Sequence, residues 1–449
     1  MIEPLHPKQV RLFLWAALPF FLLFTMASQG STNDIRPQLA LVDAANQALT
    51  NNPTLRQALL DLKANQGIVI QTRAVVLPRL ETIGNFKERA PELIDRTIEQ
   101  FVPLEQTEHL WSTEVRLIQS VYQGGRLTSA LRTAKLLREK ALLDYQSLVS
   151  DVLLQVRIAY ADVLAAEQKV GVSDSTMELL SRQLQNSKHR FDNDLEPRFT
   201  VLRAEVELEN ARPALIQSQN ALRIARQQLL HLLGYDLTHD DSANLSFILT
   251  DSLKVEPFSM EVDQAIQSAL KNRAELLALQ KDAALRKEGI ITARAGYKPT
   301  LDLFGTYGTR NSEYRREITD RLTGWSAGVQ ASWVPFDGLL TKGKVDEAKA
   351  RYEKSLLQSG DFSQQIILNV RTAFSFLTEA KELLQSQEKA LQQAEETLRL
   401  ANVRQENGSS TQLDVLSAQS ALTQARYVRA DALRNYVVSL ARLERAIGR

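Results

Sequence analysis

A chain of 449 residues with 54 Lys plus Arg against 53 Asp plus Glu carries a formal charge of +1, which excludes the basic footprint of a dedicated nucleic-acid binder. The absence of cysteine excludes a disulfide framework, a thiolate zinc site, an iron–sulfur cluster, a cysteine nucleophile and a lipid-modified N-terminal cysteine. Hydrophobic residues make up 44%, and 18 Gly and 13 Pro are few for this length, so long helices are expected ahead of a turn-rich all-β fold.

At the N-terminus, His6, Lys8 and Arg11 precede a 15-residue apolar run from Leu12 to Met26, and small or polar residues follow. The run is too short for a membrane-spanning helix, and its basic front and small-residue exit predict a secretory signal peptide over 1–29. A retained anchor is the alternative, because the exit lacks an A-x-A pattern. In both cases the rest of the chain is expected to be exported, and no later segment has the 18 consecutive apolar residues of a spanning helix.

The chain repeats itself. Ala48, Leu49, Asn51 and Leu55 recur 221 positions later as Ala269, Leu270, Asn272 and Leu276, and Arg73, Pro78, Leu80 and Gly84 recur at the same offset as Arg294, Pro299, Leu301 and Gly305. Beyond Trp111 the offset is 214: Trp111 becomes Trp325, Gly124 becomes Gly338, Val156 and Arg157 become Val370 and Arg371, Arg190 becomes Arg404, and Gly234 becomes Gly448. The sequence therefore divides into repeat 1 over 38–235, a linker over 236–261 and repeat 2 over 262–449.

Within each repeat two segments alternate with period two, predicting strands at about 79–88 and 111–122 and at about 300–308 and 325–336. Leu80, Thr82, Gly84 and Phe86 share one face, opposite Glu81, Ile83 and Asn85, and Val115 and Leu117 lie opposite Glu114 and Arg116. Ser112 to Tyr122 is 11 residues, the length a tilted strand uses to cross a bilayer. From alternation alone a half-buried strand of a soluble sheet is the commoner source of such a pattern. The long polar connections Glu88 to Leu110 and Gly308 to Gly324 favour a membrane barrel, whose external loops are long.

After Gly124 and Gly125 the apolar spacing changes to three and four, and no proline interrupts Arg126 to His189 or Lys342 to Gln405. Helices of some 60 residues would be about 90 Å long, more than a globular domain can cover, so they must pack on one another. Return helices are expected from about Phe199 to Leu233, kinked at Pro213, and from about Leu413 to Ala446. Gly408 suits a left-handed C-cap at the second turn, and Asp194 stands at the matching place in the first.

Four strands cannot close a barrel, and an open sheet cannot stand in lipid with unpaired edges. More than one chain must share it, with Glu81, Glu114, Arg116 and Asp302 facing a watery lumen. Trp111 and Trp325 stand at matching strand entries, as members of an aromatic belt or of a packed core.

Asn52-Pro53, Leu77-Pro78, the corners Tyr122-Gln123-Gly124-Gly125-Arg126 and Phe336-Asp337-Gly338-Leu339, and the run from Asn407 to Leu416 resemble the TolC-type outer-membrane efflux proteins over nearly the whole mature chain. The resemblance implies a mainly α fold with a small β part, made of two repeats of a β-hairpin plus long antiparallel coiled helices. It also implies a homotrimer in which a 12-stranded outer-membrane β-barrel continues into a 12-helix periplasmic α-barrel. Such a duct works without covalent chemistry or cofactors, conducting small molecules or polypeptides delivered by an inner-membrane pump and a periplasmic adaptor, and opening at the helical tips.

By this resemblance Asp414 matches the first of two aspartates that ring the periplasmic aperture, while Ser417 stands where the second would be. A solvated acid in the first turn of a helix is the plainer reading of Asp414. Tip residues Arg190, Asp194, Arg404, Gly408, Ser409, Ser410 and Leu413 are the expected adaptor contacts, and Pro78, Gly124, Gly125, Pro299 and Gly338 mark the strand–helix corners. Gln123 and Leu339 depart from the common corner residues, which predicts different corner geometry in the two repeats.

Two rival classes compete with this reading. An enzyme is disfavoured because His6, His109, His189, His231 and His239 form no H-x-x-x-H pair and no phosphate loop or nucleophile elbow is present. A periplasmic coiled-coil adaptor or scaffold without a channel would share the helices, but would not need matched strands and glycine corners. No resident metal site and no nucleic-acid partner are expected, and the sequence does not distinguish a drug, metal-ion, dye or polypeptide cargo.

Overall fold

The computed structural model describes residues 38–90, 92, 108–238, 247–255, 257–311 and 321–449. The expected signal peptide lies outside these residues, as do most of the connection after Glu88 and all of 312–320. Repeat 1 comprises α1 (Leu41–Asn51), α2 (Pro53–Ala74), β2 (Arg79–Glu88), β3 (His109–Gln123), α3 (Arg126–Asp192) and α4 (Arg198–Leu232). Repeat 2 follows the same order with α5 (Val262–Asn272), α6 (Ala274–Arg294), β5 (Thr300–Asn311), β6 (Arg321–Ser332), α7 (Leu340–Glu406) and α8 (Gln412–Ala446). Two short strands, β1 (Gln38–Leu39) and β4 (Ile248–Leu249), pair in parallel and hold the inter-repeat segment to the start of repeat 1.

Both α3 and α7 have 67 residues, and both α4 and α8 have 35. At 1.5 Å per residue the long helices reach about 100 Å. Their far halves pack against their own return helices; α3 also packs against α2, α6 and α8, and α6 lies between α3 and α7. Return helix α4 runs unbroken through Pro213. No described helix is long and apolar enough to cross a membrane.

Each repeat has its own core where its short helix crosses the hairpin. Ala44, Ala48, Leu55, Val156, Leu229 and Leu233 are buried in the first, and their counterparts Ala265, Ala269, Leu276, Val370, Leu443 and Ile447 in the second. The sequence repeat is thus a packing repeat. Buried Asn52 caps α2, accepting from Thr54 N at 2.9 Å and Leu55 N at 3.2 Å, and donates to Leu232 O at 2.7 Å, which ties α2 to the end of α4. Repeat 2 has Arg273 at the cap, without a side-chain cap bond.

A second tie joins the two repeats. Arg445 on α8 reaches Asp151 on α3 at 2.8 Å and also pairs with Glu275 on α6. Burial alone would raise the Glu275 carboxyl, but hydrogen bonds from Arg273 and Arg445 outweigh it and bring the pKa down to about 2.

The four long strands form one antiparallel sheet in the order β2-β3-β5-β6. Pairing between β3 and β5 joins the repeats, with a bulge between Ser120 and Tyr122. Strand limits differ from the pattern-based ones mainly in β6, which occupies Arg321–Ser332 and not 325–336. It begins early because its first residues pair with the end of β5, Asn311 opposite Arg321, and it stops before Pro335, which has no N–H to give a ladder.

The corners correct another expectation. Gly124 and Gly125 hold φ of 64° and 101°, and Gly338 and Leu339 hold 66° and 69°. Both repeats therefore turn from strand to helix through two successive left-handed residues, despite Leu339 standing where repeat 1 has glycine. Gly124 answers a second demand, since a Cβ there would lie 2.7 Å from the carbonyl oxygen of Ala295. The corners do differ in capping. Asp337 accepts from Thr341 N at 2.8 Å and from the Thr341 hydroxyl, bonds that hold its carboxyl below the usual range, whereas the matching Gln123 donates to Ser120 Oγ at 2.8 Å.

Candidate functional site

Registers through the whole sheet keep each face continuous. Leu80 lies opposite Leu117, Thr82 opposite Val115 and Phe86 opposite Trp111; Val115 then meets Tyr307, and Tyr307 meets Trp325. This face is apolar and solvent-exposed in the single chain, with Phe86 at 69% and Trp325 at 79% exposure. Trp325 is therefore part of no packed core within the single chain. Near the helical end Trp333 and Phe336 are also exposed, and Trp333 Nε1 donates to Tyr297 O at 3.2 Å.

The opposite face carries Glu81, Glu114, Arg116 and Asp302 together. Glu81 stands directly across from Arg116 in register, yet it pairs with Arg79 at 2.7 Å. The Arg116 guanidinium lies 5.1 Å from the centroid of the Phe304 ring, which in turn packs over Gly328. Asp302 is opposite Ser120, nearer the helices than the other three. Pro78 and Pro299 immediately precede β2 and β5 and start each strand without spending a ladder donor.

At the far end, two hairpin tips share one backbone motif. In the first, Asp194 has φ 59° and Leu195 N donates to Arg190 O at 2.8 Å; in the second, Gly408 has φ 68° and Ser409 N donates to Arg404 O at 2.8 Å. Both are helix ends closed by a left-handed residue and a bond back across the last turn. The side chain of Arg190 pairs with Glu196 at 3.0 Å, bracing its own turn, while Arg404 and Leu413 are exposed.

Asp414 is exposed and works first on its own turn. Its Oδ2 accepts from Thr411 N and Thr411 Oγ1, each at 2.8 Å, and from Ser410 Oγ at 3.0 Å, and Asp414 N donates back to Thr411 Oγ1 at 3.3 Å. This capping box starts α8, and the bonds from Thr411 hold the carboxyl below its ordinary value. Ser417, one turn on, is exposed beside it while Val415 and Ala418 turn inward. Repeat 1 has Pro197 at the matching cap and no side-chain cap bond.

A profile of the family described as "Outer membrane efflux protein" matches residues 44–235 and 265–449. The chain belongs to that family. It is 23% identical to outer membrane protein TolC of Escherichia coli K12, over 91% of this chain and 82% of that protein. It is also 23% identical to the alkaline protease secretion protein AprF of Pseudomonas aeruginosa, over 90% and 83% respectively. Among solved structures, the outer membrane protein VceC of Vibrio cholerae superposes with a TM-score of 0.75 at 19% identity, covering 91% of this chain and 96% of that one, a likeness of fold.

This outer membrane efflux protein is accordingly mainly α with a small β part. Its family transports and is not a family of enzymes. Residue reading missed the apolar side of the first tip, where Leu195 and Phe199 are 69% and 70% exposed. The 214-residue offset that matches Phe199 to Leu413 was the available signal. It also passed over Thr411, although Thr-x-x-Asp just before an apolar run is the capping-box pattern.

Proposed function

We propose that three copies of this chain close the four-stranded sheet into a 12-stranded barrel and line up 12 helices beneath it, forming a duct from periplasm to exterior. The observation that carries this reading is a sheet with an exposed apolar face, a polar opposite face and two open edges, β2 and β6. In lipid those edges must be paired, and pairing β6 of one copy with β2 of the next satisfies both. The helices support the same operation: α6 is flanked by α3 and α7, whereas its counterpart α2 packs on α3 and leaves Leu60 62% exposed on its other side.

In this reading Glu81, Glu114, Arg116 and Asp302 line the lumen and the apolar face meets lipid. The tips, with Arg190, Asp194, Arg404, Gly408, Ser409, Ser410 and Leu413, receive a periplasmic adaptor that couples to an inner-membrane pump. Three Asp414 carboxylates around the axis form a gate that favours cations, with Ser417 adding no charge one turn further in. Mutual repulsion among them raises their pKa while the Thr411 bonds lower it, so the ring stays ionised at neutral pH.

Extraction of outer-membrane fractions tests the assembly. The expected product is a detergent-solubilised particle with the mass of three chains; a protein released from the periplasm without detergent would overturn the duct and favour a soluble adaptor.

A further inference from the structure

Next to the sheet the helices stand in the row α2-α3-α6-α7, and one cavity of about 450 Å³ takes side chains from all four. A row of helices that bends into a tube brings its outer members to one cavity only on the side toward which it curves. In the assembly proposed above, that side is the lumen. The other side of the α3–α6 boundary carries its own ion pairs, Arg132 with Glu288 and Lys281 with Glu139, and none of these four residues lines the cavity.

The cavity wall holds four cations, Lys140, Arg286, Lys344 and Arg351, against three carboxylates. Each carboxylate pairs one turn away on its own helix: Asp144 with Lys140 at 2.9 Å, Asp282 with Arg286 at 3.2 Å, and Glu347 with Arg351. Lys344 lines the same space, is exposed, and makes no ion pair among the described residues. Packing does not require these cations. At the 214-residue offset Lys344 and Arg351 stand where repeat 1 has Ala130 and Leu137, and at the 221-residue offset Arg286 and Gly289 stand where it has Asn65 and Ile68. Gly289 lines the cavity from the middle of α6, where glycine weakens a helix, and no atom lies within 4 Å of the place its Cβ would take. Its missing side chain opens the cavity and relieves no close contact.

We propose that this cavity binds anions through Lys344, backed by Arg286 and Arg351, and that three such cavities form a luminal belt for the carboxylate, sulfate or phosphate groups of anionic cargo. The inference rests on the assembly reading above and adds a charge class of cargo to it. Rings of Lys and Arg favour anions in pores as rings of carboxylates favour cations, and a charged cleft with low-dielectric walls concentrates the opposite charge. Lys344 and Arg351 fall within the first turns of α7, so the belt lies within about 20 Å of the strand–helix corners. It is opposite in sign to the Asp414 ring and at the other end of the helices, which lets experiment separate the two.

Purified full-length protein in planar bilayers tests this with inorganic phosphate as the probe, at constant ionic strength so that screening does not change. Phosphate should reduce the single-channel current of the unsubstituted protein, and Lys344→Gln should raise the half-blocking concentration about tenfold, the scale of one lost charge-assisted hydrogen bond. Lys342→Gln removes the same charge two residues away, on the opposite side of α7 and outside the cavity, and should leave the block unchanged. A conducting channel without block, block unaltered by Lys344→Gln, or equal weakening by Lys342→Gln would overturn the belt and leave the duct standing. A folded three-chain particle that never conducts would overturn the duct and the belt with it.

Discussion

Leu339 holds φ 69° with its side chain 61% exposed, so it bears a left-handed backbone without much packing in return. Replacing it with glycine removes a strain of about 1–2 kcal/mol, partly offset by the freedom glycine brings to the unfolded chain. Leu339→Gly should therefore stabilise the protein by about 0.5–1 kcal/mol in thermal unfolding, and a loss of stability would show that Leu339 contributes contacts there. Asp414 separates two roles of one carboxylate. Asp414→Asn keeps an oxygen that can accept from Thr411 but removes the charge, so single channels should show weaker block by divalent cations and less cation preference. If both are unchanged, Asp414 caps α8 and gates nothing. This residue also shows where reading by sequence was partial: its first-turn position was legible, but two of its three accepted hydrogen bonds come from the Ser410 and Thr411 hydroxyls, whose rotamers spacing does not reveal.

Among the elements, the strands and the long helices were legible because their periods, two and about 3.6, differ sharply on either side of Gly124 and Gly338. The end of β6 was not, since alternation continues through Trp333 while pairing is decided by β5 and by Pro335. The likeness of the two corners was hidden for a related reason, because backbone geometry imposed by sheet and helix overrides the preference of Leu339. At this scale the junction of α6, α8 and α3 gives an acid-sensitivity prediction. Glu275 titrates near 2 in the fold against 4.5 ordinarily, so its contribution is present above about pH 4.5 and is lost as pH falls toward 2. That contribution is on the order of 2–3 kcal/mol. Thermal unfolding of Glu275→Gln should accordingly show lower stability at neutral pH and a flatter decline between pH 4.5 and 2 than the unsubstituted protein. Parallel acid profiles would mean that Arg273 and Arg445 do not hold Glu275 in this way.

For the whole molecule, the repeat gives both the organisation and its incompleteness. Two copies of a unit stand side by side, and every contact that repeat 2 makes to repeat 1 through β3 and β5, α3 and α6, or α3 and α8 has a counterpart position left open at the outer flanks. Near-neutral charge and moderate hydrophobicity conceal a membrane protein here, because only one face of four strands is apolar. That face follows from alternation alone; its continuity across four strands, and the placing of Glu81, Glu114, Arg116 and Asp302 together behind it, required the registers. The most direct test of the duct is electrical. Purified protein added to a planar lipid bilayer should insert and give discrete conductance steps of uniform size; a folded three-chain particle that inserts without conducting, or that never enters the bilayer, would contradict the account.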